Sequence, residues 1–449
     1  MKPFLIAALL LPALLQGGVA PSQDPVWELV NDTTARMLIT QPQIDQRADS
    51  WLRQYKGIVS KSSIGKTKEG RDIALYKIDT RSSKNAEHKE VMLLAGIHPR
   101  EQQPSRDLLR FVDELLAGYQ KDERITDILD RQIIWVVPSF NIDGKLHDVT
   151  ERDWRKNRSQ NADGSRGVDL NRNFSVRWGG GRLFDKTWNT TTTTAKNNIY
   201  EGPAPLSEPE SKALATFFES RPNLVAFLDI HNPLREILFP PYATIADGQR
   251  MHKTAIQMQR AQQGEPYKVT KPLFGQEPPA DERSGNSGLT YHHAYYLFGI
   301  HGFNFEISNP AKKTGLSGRY PSAEAADKEY TTHVRGAWLE WLDSVHTYPL
   351  TRRGDARVNG TATTTARPKA GTTFGWIPPT ISGSAEWAVI TSDDPRLQCI
   401  SEIRRAPFTN PFTIRLSDGI RPGTRIDIKL TVWGQNRTRT VITIPVVTE

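Results

Sequence analysis

The run VMLLAGIHPREQQPSRDLLRFVDELL, residues 91–116, decides the fold class. Its first seven residues, Val91 to Ile97, are apolar or small without interruption, the pattern of a strand buried on both faces. From Asp107 onward the apolar residues Leu108, Leu109, Phe111, Val112, Leu115 and Leu116 recur at helical spacing, so a helix follows. Between the two, His98 and Glu101 stand three residues apart where the strand ends, and both side chains can turn toward one ion. A His-x-x-Glu pair occurs by chance in many chains of this length, so the pair needs further partners before it counts as a metal site.

The same alternation extends on both sides. Gln132 to Pro138, Leu224 to Ile230 and Gly302 to Ile307 read as further buried strands. Glu208 to Glu219, Gln249 to Gln262 and Ser322 to Val345 read as helices. Alternating elements of this kind predict an α/β fold, a mixed and largely parallel central sheet with helices on both faces. The connection Asn157 to Arg182 is polar, Gly-rich and too long for an ordinary turn, which marks it as a place to build a site. The threonine run Thr190 to Thr194 is a low-complexity, solvated stretch. After Tyr348 the helical patterns stop, and short β-rich runs such as Glu386 to Thr391, Phe412 to Leu416 and Arg425 to Trp433 alternate with Pro-Pro, Asp-Gly and Pro-Gly turns. The expected organisation is a leader over 1–20, an α/β unit over 21–348, a linker over 349–370 and a small all-β sandwich over 371–449.

Composition narrows the class. With 449 residues, 37% hydrophobic and 24% charged, the chain has the apolar content of a protein with real cores. The formal charge of +8 comes from 58 basic against 50 acidic residues spread along the chain, with no basic block, so nucleic acid is not the expected partner. One cysteine, Cys399, excludes an internal disulfide and a Cys-rich metal site, leaving His, Asp and Glu to hold any metal. Lys2, the apolar run Phe4 to Leu15 and the small residues Gly18 to Ala20 have the layout of a secretory leader, with cleavage expected after about Ala20. The run is too short to span a bilayer, which takes roughly 20 apolar residues, and contains Pro12. Export to the medium, periplasm or cell envelope is expected, and export together with a single cysteine fits a bacterial protein.

The remaining chemistry lies at strand ends and in the long loop. The strand Val225 to Ile230 runs into His231, a second imidazole at a carboxyl-terminal edge, where open α/β sheets bind their ligands. Two imidazoles, a carboxylate and a position left for water form a recurring catalytic zinc set. Arg155, Lys156 and Arg158, then Asn171 and Arg172, place cations in polar stretches. Such side chains are most often solvated, but a guanidinium fork also grips a carboxylate bidentately. Phe303-Asn304-Phe305-Glu306-Ile307 carries an acid inside an apolar strand, and a buried acid needs a partner or a role as general base.

Taken in order, these segments resemble the zinc metallocarboxypeptidase family of carboxypeptidases A and B, from about residue 50 to 345 and including the segment Ser63 to Ile73. The resemblance implies a carboxypeptidase-like fold and a zinc-dependent exopeptidase that removes C-terminal residues by a metal-activated water. It implies one Zn2+ per chain on His98, Glu101 and His231, Glu306 as general base, Arg155 polarising the scissile carbonyl, and Asn171 with Arg172 gripping the terminal carboxylate. Peptide or protein C-termini would be the partners, with no stable membrane insertion and a monomer as the default. The family's substrate-covering tyrosine maps best to Tyr291, with Tyr267 as the alternative. About 30 residues separate the leader from the first family-like segment, too few for an inhibitory prodomain, so activity without proteolytic activation is expected.

The sequence departs from the family pattern at Pro99, Asn232-Pro233 and Ile142, and Pro233 stands where the pocket for the penultimate residue is shaped. The C-terminal unit has the placement, but not the sequence, of the transthyretin-like domain of regulatory carboxypeptidases. Two other functions compete: cleavage of γ-glutamyl to diaminopimelate bonds in peptidoglycan, and peptide binding without catalysis. Arg172 argues against the first, since relatives cutting wall peptides replace that arginine. The intact set His98, Glu101, His231 and Glu306 argues against the second.

Overall fold

The computed structural model describes residues 38–81, 88–179, 194–276, 288–307, 319–353 and, with short breaks, 357–449. The leader expected over 1–20 and most of the threonine run lie outside the described residues. The first unit runs α1 (Gln41–Gln54), β1 (Val59–Lys66), β2 (Asp72–Ile78), β3 (Lys89–Ala95), α2 (Gln102–Gly118), α3 (Glu123–Arg131), β4 (Gln132–Val137) and α4 (Ile142–Asp148). It continues with α5 (Pro209–Ser220), β5 (Leu224–His231), β6 (Glu236–Leu238), α6 (Ile245–Arg260), β7 (Lys268–Val269), α7 (Thr290–Phe298), β8 (His301–Glu306), α8 (Ala323–Glu329) and α9 (Arg335–Ser344).

The strands form one eight-stranded mixed sheet in the order β1-β2-β4-β3-β5-β8-β6-β7, parallel where β4, β3, β5 and β8 adjoin. Side chains alternate across it. Val91, Leu93 and Ala95 face a core with Leu108, Phe111, Val112 and Trp338 of α2 and α9, while Met92 and Leu94 face Leu214, Phe218 and Ala294 of α5 and α7. Helices therefore cover both faces, as the continuous apolar runs require. Because β4 lies on one side of β3 and β5 on the other, the crevice at the carboxyl ends of β3 and β5 is a topological switch point. Among the described residues no helix is long and apolar enough to cross a membrane.

The C-terminal strands are β9 (Arg352–Arg353), β10 (Arg357–Val358), β11 (Thr373–Trp376), β12 (Ile381–Ser382), β13 (Ala385–Thr391), β14 (Leu397–Ser401), β15 (Ile403–Arg405), β16 (Phe412–Leu416), β17 (Arg425–Gly434) and β18 (Thr438–Val447). A three-stranded sheet, β11-β16-β14, and a five-stranded one, β15-β13-β17-β18-β9, share a core. It holds Trp376, Phe412 and Ile414 from the first sheet and Ile390, Ile428 and Val446 from the second. Strand β16 alternates inward Phe412, Ile414 and Leu416 with half-buried Thr413 and Arg415, as a two-layer β structure demands. The second sheet also packs on the α/β unit, where Trp387 and Trp433 stack 5.7 Å apart and Trp387 lies 6.0 Å from the Tyr295 ring.

Candidate active site

Three strand ends deliver the site. After β3 the chain turns at Gly96, which has φ +76°, and a Cβ there would lie 3.1 Å from Ser105 Oγ and 3.2 Å from Ser139 Cα; glycine meets both demands. The turn ends in His98 and in Glu101, the residue preceding α2, joined by a hydrogen bond from the Glu101 N–H to the His98 carbonyl (3.1 Å). His231 is the last residue of β5, and Glu306, the last of β8, pairs with it in register. Buried apolar strands thus end in polar side chains at one edge.

His98, Glu101 and His231 each offer a ligand atom within 4.8 Å of the others, and all three are buried. Glu101 lies between the imidazoles, with Oε1 2.7 Å from His98 Nδ1 and Oε2 3.0 Å from His231 Nδ1. Each ring is held from its far side. His98 Nε2 is 3.0 Å from Asp169 Oδ1, and His231 Nε2 is 3.0 Å from Asp229 Oδ2. A carboxylate beside Nε2 favours the tautomer protonated there, leaving the Nδ1 lone pair for a metal. Two imidazole nitrogens and a carboxylate, buried and oriented from behind, fit a zinc ion with a coordination position to spare.

Asp169 ties the other candidates to this centre. Its Oδ1 accepts from the Asn171 N–H at 3.0 Å as well as facing His98, and its Oδ2 accepts from Arg155 Nε at 2.9 Å. Burial raises the Asp169 carboxyl, but Arg155 and His98 outweigh it and hold it well below the usual carboxylate range. Arg155 Nη1 stands 3.8 Å from Glu101 Oε1. The Arg155 loop is fixed to the metal segment by a hydrogen bond from the Arg100 N–H to the Trp154 carbonyl (3.0 Å). Asn171 and Arg172 form a short 3-10 turn, where the Asn171 side-chain oxygen accepts from the Thr290 N–H at 3.0 Å and Arg172 Nη1 donates to the Asn171 carbonyl at 2.7 Å. Gly288, at φ +64°, passes so close to Arg172 that a Cβ would lie 2.1 Å from the Arg172 carbonyl oxygen. Glu306 is 8% exposed; burial pushes its carboxyl up to about 7 against the opposing pull of His231 and Arg155.

The structure thus gathers His98, Glu101, His231, Glu306, Arg155, Asn171 and Arg172. The two tyrosines are placed differently from a substrate cover on a loop. Tyr291 is in α7, 2% exposed, with its backbone against Gly302 of β8; Tyr267 is fully buried and its hydroxyl donates to Glu329. Aromatic side chains at these positions are drawn into the packed layer between helix and sheet. Asp169 is the group that inspection of motifs passed over. It stands between Val168 and Leu170, an acid in an apolar setting, the same signal that singles out Glu306.

Residues 44–332 match the family model described as zinc carboxypeptidase. The chain belongs to the zinc carboxypeptidase family. Rat mast cell carboxypeptidase A is 33% identical over 270 residues, covering 59% of this chain and 62% of the relative. Bovine carboxypeptidase O is 33% identical over 208 residues, covering 46% of this chain and 52% of the relative. The chain spans about half the length of the curated relatives it matches. Among solved structures, bovine thrombin-activatable fibrinolysis inhibitor in complex with tick carboxypeptidase inhibitor aligns with a TM-score of 0.56 at 23% identity, over 69% of this chain and 97% of that one. Carboxypeptidase A from Helicoverpa armigera aligns with a TM-score of 0.57 at 20% identity, over 69% of this chain and 74% of that one. At such identities these likenesses speak for the zinc carboxypeptidase fold alone.

Proposed function

We propose that this chain is a zinc-dependent exopeptidase that hydrolyses the last peptide bond of peptides or proteins with a free terminal carboxylate. The observation that carries the reading is the convergence on one sheet edge of three metal donors, a buried acid and an Asn-Arg pair. Zinc held by His98, Glu101 and His231 would supply Lewis-acid polarisation and a more acidic water. Asn171 and Arg172 hold the terminal carboxylate, Arg172 through its planar fork, so only the last bond reaches the reacting position. Glu306, near neutrality through burial, takes the proton of the attacking water and returns it to the leaving amine. Arg155, oriented by Asp169, stabilises the charge that builds on the carbonyl oxygen. All these groups come from one chain, so a monomer with one zinc is complete, and the leader-like start favours export.

The test is mass spectrometry of products after the leader-free protein meets peptides with different C-terminal residues, with and without a zinc chelator. Loss of single C-terminal residues that the chelator abolishes is expected. Internal cleavage, or binding without turnover in the zinc-loaded protein, overturns the reading.

A further inference from the structure

The row of the sheet just behind the metal donors carries a second set of polar groups. Strands β5 and β8 run parallel with His231 opposite Glu306 and Asp229 opposite Asn304. Residues two apart on a strand share a face, so Asp229 and Asn304 sit about 6.6 Å behind the metal and base positions on the same face. On β6, Glu236 lies opposite Glu306 and Leu238 opposite Asn304, which extends both rows.

Asp229 is fully buried and Asn304 is 4% exposed, yet neither is satisfied. The Asp229 carboxylate works through one oxygen: Oδ2 accepts the Thr290 hydroxyl and lies 3.0 Å from His231 Nε2, whereas Oδ1 has no donor. Asn304 Oδ1 also lacks a donor, and this side chain makes no hydrogen bond among the described residues. A buried acceptor left unpaired costs about 1–3 kcal/mol, so two of them in neighbouring strands call for a ligand that brings donors. Arg172, Glu306, Asp229 and Glu236 all act on the buried Tyr291 hydroxyl, which places the cation and the acids around one spot. That cation is the proposed anchor of the terminal carboxylate.

Arg172 follows Asn171, whose amide lies on the Asp229 side of His231, away from the Nδ1 that faces Glu101. A terminal residue held by Arg172 therefore lies across the ends of β5 and β8, above Asp229 and Asn304. An aliphatic or aromatic side chain there would bury both acceptors unpaired, and an acidic one would add like charge. An ammonium or guanidinium supplies several donors at once, and charge-assisted ones to the Asp229 carboxylate. We infer that the chain prefers peptides ending in Lys or Arg, with Asp229 Oδ1 and Asn304 as the acceptors that select them.

The inference rests on the exopeptidase reading and is tested on the zinc-loaded full chain. Peptides identical except for a C-terminal Lys, Arg, Leu, Phe or Glu are compared by kcat/KM for release of that residue. Lys and Arg are expected to exceed Leu and Phe by at least about 10-fold, and Glu by more. The Lys-to-Leu ratio is expected to fall at least about 10-fold in Asn304→Leu. Metal content and thermal midpoint check the fold of that variant, and Asn304→Ala serves if the larger side chain disturbs it. Release led by Leu or Phe overturns the inference alone, as does an unchanged ratio in both variants. No release from any peptide overturns the exopeptidase reading and the inference with it.

Discussion

Replacing Asp169 with Asn separates metal support from transition-state support. Oδ1 faces His98 Nε2 and the Asn171 N–H, each at 3.0 Å, while Oδ2 accepts from Arg155 Nε at 2.9 Å. In the better of its two orientations, Asn keeps its oxygen toward His98 and Asn171 and turns its NH2 toward Arg155, where two donors meet. The charge-assisted bond to Arg155 is then lost, and a bond to a charged group contributes about 1.5–3 kcal/mol. If that loss is felt in the transition state, kcat/KM falls about 10- to 150-fold at saturating zinc. His98 exchanges a carboxylate for a neutral oxygen behind Nε2, which is expected to weaken zinc binding about 10-fold, the low end of what such partners provide. The assays are competition for zinc with a chelator of known affinity and kcat/KM on one peptide at saturating zinc, with the thermal midpoint as a check on folding. A variant within twofold of the parent in both refutes the role given to Asp169. Weaker zinc binding with unchanged kcat/KM at saturation would leave His98 supported and refute the role of Arg155 alone.

Arg172→Ala should lower kcat/KM on a peptide with a free C-terminus at least about 100-fold. Unchanged turnover, or equal cleavage of the C-terminally amidated peptide by the parent, would favour a wall-peptide or internal endopeptidase instead. Because Glu306 must be ionised to accept a proton and burial raises it to about 7, kcat/KM should climb with pH along an acid limb centred at or below 7. Glu306→Gln should bind zinc and lose about 100- to 10,000-fold in kcat, and a flat profile from pH 5 to 8 would contradict the assignment. Glu210 is raised by burial, and further by Glu208, to about 7 from an ordinary value of 4.5. The folded chain then holds the proton more tightly than the unfolded one, so stability falls as pH rises from about 4.5 to 7 and levels off above, by about 3 kcal/mol at most. Glu210→Gln should abolish this slope and be the more stable form at pH 8; urea midpoints at pH 5 and 8 that move in parallel for both proteins would disprove it.

Strand ends were readable because the central strands are mostly apolar, with Asp229 and Asn304 as inner exceptions, and stop at or beside a polar residue. Leu224 to Ile230 runs straight into His231, and Phe303 to Ile307 encloses Glu306, so position followed from composition. The sheet's margins gave no such signal. Strand β1 is VSKSSIGK, exposed along most of its length, and β7 is two residues long; pairing with β2 and β6 makes them strands. The helix expected from Gln249 begins four residues earlier at Ile245, where the Thr244 side chain accepts from the Asp247 N–H and caps it. The run Ser322 to Val345 is helical as read, but α8 and α9 are joined by a π turn at Tyr330–Val334 without a Pro or Gly to mark it. Asp169 stayed unassigned for a different reason, and Asp229, two residues before His231, stood open between a partner of that imidazole and a structural hydrogen bond. Which acid stands behind which imidazole depends on the register of β5 and on the fold of the long loop, neither of which leaves a periodic trace.

Helix α7 joins the two ends of this problem. Its first residue, Thr290, gives its N–H to Asn171 and its hydroxyl to Asp229, so it holds one member of the proposed carboxylate anchor and the acid that stands beside His231. At its other end, Trp433 Nε1 donates to the Tyr296 carbonyl at 3.0 Å, and Arg437 donates to the Gly299 carbonyl where the helix terminates. These are carbonyls that a helix leaves unsatisfied at its C-terminus, and here Trp433 near the end of β17 and Arg437 just before β18 supply the donors. Arg437 also pairs with buried Asp247, which faces His301 at the start of β8, the strand that ends in Glu306. Trp387, Val389, Ile403 and Trp433 belong to the same apolar cluster as Phe303, Phe305 and Trp338. Helix α7 is thus fixed by the C-terminal sheet at one end and positions site residues at the other. The nine-residue helix separates the contacts made by the β unit from Thr290 at the edge of the candidate site.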